Sequence, residues 1–191
     1  MKGVVPLLGF AALLLVFWGI GCYNRLQGLR AAAMTTLQLL GAALAQRNIA
    51  LEQLIATLDG NLQHERAALS STQAALHRSA ALAEAAVLTR GNPESMHALA
   101  AGEAQLGAAV WHLRNLCATY ADLAVNETLT SQWIALDGAL SGCQFAVERY
   151  NAAADEFGHA SGERPASWLA GALYFPPLTR LDVGRGGDAP T

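Results

Sequence analysis

Charge is scarce in this chain and unevenly placed. Only 14% of its 191 residues are Asp, Glu, Lys or Arg, and none of these lies between Gly3 and Asn24. The net charge is −3, and no basic stripe or aromatic-interleaved Arg cluster is present. A phosphate-neutralising surface is therefore missing, which argues against a nucleic-acid partner. Proline is nearly absent before residue 165 and β-branched residues are few, whereas Ala and Leu abound. That balance disfavours sheet and favours helix.

Motifs that carry chemistry are also lacking. There is no Gly-x-Ser-x-Gly elbow, no phosphate-cradling glycine loop and no Cys-x-x-Cys pair. Ser70-Ser71-Thr72 falls mid-helix, where hydroxyls bond back to the backbone or face water. The pair His64-Glu65, with Asp122 as a third ligand, invites a metal reading. It has no His-x-x-x-His or Glu-x-x-His spacing to support it, and His77, His97, His112 and His159 are scattered over other levels. The expectation is a non-enzyme with no cofactor, no metal and no small-molecule substrate.

One long apolar run is present. Val4 to Gly21 is almost wholly apolar, with Lys2 before it and Arg25 closing it. At about 1.5 Å per residue this just matches a hydrocarbon core of about 30 Å. The leading reading is an uncleaved transmembrane anchor over residues 1–24, in a single-pass membrane protein. Two alternatives use the same residues. Gly19 and Gly21 stand where a lipoprotein signal ending at Cys22 needs small residues, although a lipobox wants an aliphatic residue at position 19. Ordinary signal cleavage after Gly21 would instead give a secreted domain. Lys2 and the amino terminus balance Arg25 and Arg30, so charge bias sets no orientation.

Beyond the anchor, apolar residues recur at helical intervals. The first helix carries Leu26, Leu29, Ala33, Leu37, Leu40, Leu44, Leu51, Ile55 and Leu58, with Asn48 filling a stripe position, and runs without a break to Asp59-Gly60. A second carries Leu62, Leu69, Leu76 and Ala83 and ends at Arg90, with Gly91 just beyond. Asn92-Pro93-Glu94 reads as an N-cap, a first-turn proline and a first-turn acid. The third helix has Met96, Leu99, Glu103, Leu106, Val110, Leu113, Cys117 and Tyr120. The fourth has Leu129, Trp133, Leu136, Leu140, Cys143, Val147, Tyr150, Ala154 and Phe157. Alternating steps of three and four are those of helices packed at a shallow angle, and short connections make neighbours antiparallel. The fold class is thus all-α: an N-terminal transmembrane helix, then an antiparallel up-and-down four-helix bundle over residues 25–160, with segments of similar length. Cys117 and Cys143 sit at different levels and read as core thiols rather than a disulfide. Glu103 breaks its stripe and is placed at a bundle margin reaching solvent, or else paired inside. An aromatic apolar segment follows at 161–177, containing Trp168, Tyr174 and Phe175, and residues 178–191 read as a disordered tail.

Several separated blocks resemble the LemA family of bacterial membrane proteins. They begin at Tyr23-Asn24 and continue through basic residues Arg30 and Arg47 on the first helix, then Gly60 and His64-Glu65. Tyr120, Asp122-Leu123 and Asn126 match the family's loop, Tyr150-Asn151 its Tyr-Asn pair, and Pro165 and Phe175 its C-terminal end. The resemblance implies a membrane anchor and a four-helix bundle without an agreed activity, in a family some of whose members organise bacterial membranes. It implies the bacterial inner membrane as location, with a lipoprotein of the envelope as the alternative. It implies membrane lipid and an unidentified protein as partners. The chain departs from the family at Leu51-Glu52-Gln53, where an Ile-Pro-Asn step is usual, which favours an unbroken first helix. Ala139-Leu140-Ser141 and Val147 stand where the fourth helix usually carries Thr-Glu-Asn and an Arg, so an acid and a base have become apolar. Counting from the turns gathers His64, Glu65, Tyr120, Asp122 and Asn126 at the distal end as a candidate interaction site. The same count gathers Tyr23, Asn24, Tyr150 and Asn151 at the membrane-proximal end. Trp168, Tyr174 and Phe175 join them there, either at the lipid interface or as a lid on the bundle.

Overall fold

Four helices follow one another: α1 (Val4–Asn61), α2 (Arg66–Leu88), α3 (Pro93–Ala118) and α4 (Glu127–Gly162). The computed structural model describes residues 4–61, 65–120, 123, 126–163 and 176–182, with the side chains of 4–9, 11, 12 and 61 outside that description. No strand occurs among the described residues. The absence of a helix-breaking proline at Leu51-Glu52-Gln53 leaves α1 continuous through the apolar N-terminal block and the bundle.

Lengths are unequal, contrary to the sequence expectation. Helix α1 has 58 residues, α2 23, α3 26 and α4 36. At about 1.5 Å per residue, α4 is longer than α2 by about 20 Å. The α2–α3 hairpin therefore stops short while α1 and α4 run on together. Its turn ends α2 in a Schellman arrangement: the Gly91 amide reaches the Ala86 carbonyl (2.8 Å) and the Arg90 amide the Val87 carbonyl (3.1 Å). The left-handed position expected at Gly91 is shared with Arg90, at φ 68° and 55°. Gly91 is required there on a second count, since a Cβ would lie 2.9 Å from the Tyr150 hydroxyl. Asn92 caps α3 through the Ser95 amide at 2.8 Å, with Pro93 in the first turn as expected.

Three core layers follow from this geometry. The distal layer draws Leu51, Leu54 and Leu58 from α1, Leu69 and Leu76 from α2, Leu106 and Leu113 from α3, and Leu129 and Leu136 from α4. The middle layer again uses all four helices, with Leu37, Leu40 and Leu44 against Ala83, Ala86, Met96, Leu99, Cys143 and Tyr150. The proximal layer is Leu26 of α1 with Phe157 and Ala160 of α4, and Leu29 beside them. Because the hairpin has already turned back, α2 and α3 contribute nothing there.

An extended segment takes their place. Leu181 is buried in the middle layer, and Leu178 packs against both the middle and proximal layers. Residues 178–182, expected in a disordered tail, are instead docked on α4. The physical reason is the apolar trough left by the short hairpin. Residues 164–175 of the aromatic segment expected at 161–177, Trp168, Tyr174 and Phe175 included, lie outside the described residues.

Cys117 and Cys143 are buried free thiols, as expected. Stripe residues Trp133, Leu140 and Val147 are only half-buried, whereas Leu136, Cys143 and Tyr150 are buried. The backbone of α3 packs less closely on α4 than that of α1 does.

At its N-terminal end α1 leaves the bundle. Phe10, Leu13, Leu14, Leu15, Val16, Phe17 and Ile20 are all exposed. Among the described residues, no helix is long and apolar enough to cross a membrane.

Core depth makes a contrast between neighbouring positions. Leu136→Ala, at a site 1% exposed, should cost about 2–5 kcal/mol of stability. Leu140→Ala should cost well under half of that, because its side chain already meets solvent. Paired denaturant titrations of the two variants measure the difference.

Candidate functional site

The one cluster of charged side chains in the described interior lies between the distal and middle layers. Arg47 of α1 and Glu103 of α3 form a salt bridge with both side chains 5% exposed. The pairing is bidentate: Arg47 Nη1 donates to Glu103 Oε2, and Nη2 donates to Oε1 at 3.1 Å. Ser79 of α2 links the two, accepting from Arg47 Nη2 at 3.2 Å and donating to Glu103 Oε1. Asn48 Oδ1 accepts from Arg47 Nη2 at 2.8 Å and from Nε at 3.2 Å. Each charged group thus meets several partners, which is the condition for holding an ion pair away from water. Cys143 of α4 closes the same level, its thiol donating to the Ala43 carbonyl at 3.3 Å. Burial raises that thiol above its ordinary value, ahead of opposing influences from Arg47 and Glu103.

Glu103 is therefore paired inside rather than placed at a margin. In the sequence Arg47 stands out only as a family-like basic residue, and no motif singles out Ser79. The missed signal is regular spacing. Leu37, Leu40, Leu44, Arg47, Leu51, Leu54 and Leu58 step by three and four without a gap, so Arg47, rather than Asn48, is the stripe member. Ser79 fills the corresponding place among Leu69, Thr72, Leu76, Ser79, Ala83 and Ala86. Hydroxyls of Ser70, Ser71 and Thr72 bond back to carbonyls of Ala67 and Ala68, as expected for mid-helix positions.

At the distal end the structure joins two of the expected residues. The Tyr120 hydroxyl donates to Glu65 Oε1 at 3.0 Å, and that bond to a carboxylate raises the phenol above its ordinary value. Asn126 serves as the α4 N-cap, accepting from the Leu129 amide at 3.2 Å. His64 and Asp122 lie outside the described residues. Two Glu-x-x-His spacings do occur, Glu94–His97 and Glu156–His159, but all four residues are exposed and on different helices. Among the described residues no three His, Cys, Asp or Glu side chains converge. Nearby, α3 and α4 leave an open groove lined by Cys117, Leu123, Trp133 and Ile134, where Arg114 stacks 4.6 Å over Trp133 and pairs with Asp137 at 2.5 Å.

At the other end the expected group divides. Tyr150 sits at the level of Leu37 and Gly91, whereas Tyr23 and Asn24 precede Leu26, which packs on Phe157. Some twelve residues of α4 continue past Tyr150, about 18 Å of helix, so the two pairs are not neighbours. Tyr23 instead accepts from Gln27 Nε2 at 2.8 Å, and Asn24 is exposed. Cys22 is half-buried and free.

Tyr150 and Asn151 hold the docked segment. The Tyr150 hydroxyl donates to the Thr179 carbonyl at 2.8 Å. Asn151 uses both ends of its amide on Leu181, donating to the carbonyl at 3.0 Å and accepting from the amide at 2.8 Å. Arg180 pairs with Asp155 at 2.5 Å. Burial pushes the Tyr150 phenol up to about 12.

These features define an antiparallel four-helix bundle pinned by a buried charge cluster, with a first helix that outruns its neighbours. The family model of the LemA family matches residues 37–189, and the chain belongs to that family. Comparison with curated proteins gave no match.

Removing one member of the buried pair should do more harm than removing both. Glu103→Leu alone leaves the Arg47 guanidinium buried without its counter-charge and should cost about 3–5 kcal/mol. The double variant Arg47→Met with Glu103→Leu should recover most of that loss, which a double-mutant cycle in denaturant reads directly.

Tyr150 generates a pH dependence whose sign is fixed. Its folded value of about 12 exceeds the ordinary phenol value of 10.0, so the folded state keeps a proton that the unfolded chain releases. Its contribution is fully present below pH 10 and is lost as pH rises toward 12, at about 1.4 kcal/mol per unit. Subtracting the alkaline stability profile of Tyr150→Phe from that of the wild type should isolate this fall.

Proposed function

We propose that this protein is a non-catalytic, membrane-tethered helical scaffold. Its α1 helix carries the apolar N-terminal block into the bilayer, and the bundle presents side and distal surfaces to a protein partner in bacterial membrane or envelope organisation. The observation that carries this reading is the run from Phe10 to Ile20. Large apolar side chains at five consecutive positions, Leu13 to Phe17, are exposed, so they cover every side of the helix. A helix apolar all round is a buried helix, and no other described element of this chain covers it. Among the described residues no helix is long and apolar enough to cross a membrane. The sequence supplies further uncharged residues from Val4 onward.

Membership of the LemA family supports a membrane-associated bacterial role. The charge cluster in the described interior is closed and fully partnered, which supports a structural rather than a chemical use. Unbroken helix from the apolar block to Asn61 would make α1 a stiff post, holding the distal residues Glu65, Tyr120 and Asn126 far from the lipid.

Fractionation of cells expressing the full chain tests the tether. The protein should remain with membranes through high salt and alkaline extraction, and Met1 should be found intact by peptide mass spectrometry. Leu14→Arg, placing a charge at the middle of the block at a cost of about 2.5–3.5 kcal/mol, should release a substantial fraction. A mature terminus at Cys22, acylated or free, would overturn the uncleaved anchor and favour a lipidated or secreted envelope protein.

A further inference from the structure

The docked segment is bound in the manner of a peptide ligand. Pro176-Pro177 precede Leu178-Thr179-Arg180-Leu181, and the two leucines, three residues apart, both turn into the core. The segment forms neither helix nor strand, so its backbone groups stay free for a receptor. Here the receptor is the trough between α1 and α4. Asn151 reads the backbone of Leu181 through both ends of its amide, and Tyr150 reads the Thr179 carbonyl. Side-chain selection comes from the apolar places taken by Leu178 and Leu181 and from Asp155 facing Arg180.

We propose that the trough between the proximal parts of α1 and α4 is a recognition groove for an extended peptide of the pattern Leu-x-Arg-Leu. The chain's own residues 178–181 occupy it, and it opens to a partner segment of the same pattern when they lift away. This inference goes beyond the scaffold reading and does not depend on the anchor.

Two observations make the segment separable from the bundle. Apart from Leu178 and Leu181, the residues of the middle and proximal layers all come from helices, so the segment can leave without dissolving a helix contact. Its polar links, moreover, involve residues that are half-buried or exposed apart from Tyr150 and Leu181, with Arg180 54% and Asp155 41% exposed. A lipid tail could fill the apolar places, but it would leave Asn151 and Asp155 without partners. The groove chemistry is therefore that of a peptide carrying a cation.

The test uses the full-length chain in detergent micelles and a fluorescein-labelled peptide of the sequence Pro176 to Asp182. A double variant, Leu178→Ser with Leu181→Ser, should keep its helical circular dichroism and bind the peptide saturably. Wild type should bind it at least about tenfold more weakly, because its own segment competes. Adding Asn151→Ala to the double variant should weaken peptide binding by about tenfold, the loss expected for two side chain–backbone hydrogen bonds. In wild type, the Leu181 amide should exchange its hydrogen much faster than the amides of α4 around Cys143, by local opening. Failure of the folded double variant to bind the peptide overturns the proposal. So does loss of its helical signal, which would make the segment an integral part of the core. Displacement of the wild-type segment by phosphatidylglycerol vesicles alone, read as faster Leu181 exchange, would assign the groove to lipid instead and equally overturn it.

Discussion

The register of the bundle depends on the meeting of Arg47 and Glu103. Either charge alone in a dry interior would cost several kcal/mol, so only an alignment that brings α1 and α3 to this level is tolerable. Ser79 adds α2 to the same constraint, because its hydroxyl accepts from one partner and donates to the other. A slide of any of these helices by one turn, about 5.4 Å, would break the cluster. Leucine layers on either side are far less selective, since Leu against Leu is acceptable in many alignments. The apolar stripes supply most of the stability, and the ion pair supplies the choice among alignments.

Once that level is fixed, the lengths of the helices decide everything at the proximal end. The hairpin turns at Arg90-Gly91, beside Leu37, and leaves α1 and α4 as a lone pair beyond it. Two helices leave part of the inward faces of Leu26, Leu29, Ala154 and Phe157 for a third element to cover. The segment carrying Leu178 and Leu181 is that element. Tyr150 stands where all three parts meet. Its ring lies in the middle core, its hydroxyl touches the place that only Gly91 can occupy, and the same hydroxyl reaches the docked backbone.

Much of this was legible in the sequence, and the illegible parts have physical causes. Steps of three and four identified the four helices, and the Asn92-Pro93 start of α3 could be read outright because capping is local chemistry. The inner placement of Cys117, Cys143 and Phe157 followed from the same steps. Arg47 and Ser79 were passed over because a charge or a hydroxyl on a stripe looks like an interruption when each helix is read alone. Only counting both from the turns shows that Arg47, Ser79 and Glu103 share one level. The docked segment was harder to see. Leu-Thr-Arg-Leu after two prolines has no helical or strand period, and its place is set by a trough created by unequal helix lengths. That inequality also separates Tyr23-Asn24 from Tyr150-Asn151, which equal helices would have placed together.

Closure of the central cluster bears on where function resides. A site that acts on a substrate keeps some polar group underused, or an approach open, whereas Arg47, Glu103, Ser79 and Asn48 are spent on one another. Helix α4 contributes no charge to this level. Leu140 and Val147 are apolar and half-buried, and Cys143 faces the pair with a thiol that burial keeps protonated. Three helices therefore satisfy the pair, and Cys143 of α4 closes its level. The remaining polar contacts lie toward the ends: Tyr120 on Glu65 at the distal end, and Asn151 on the backbone of Leu181 at the docked segment.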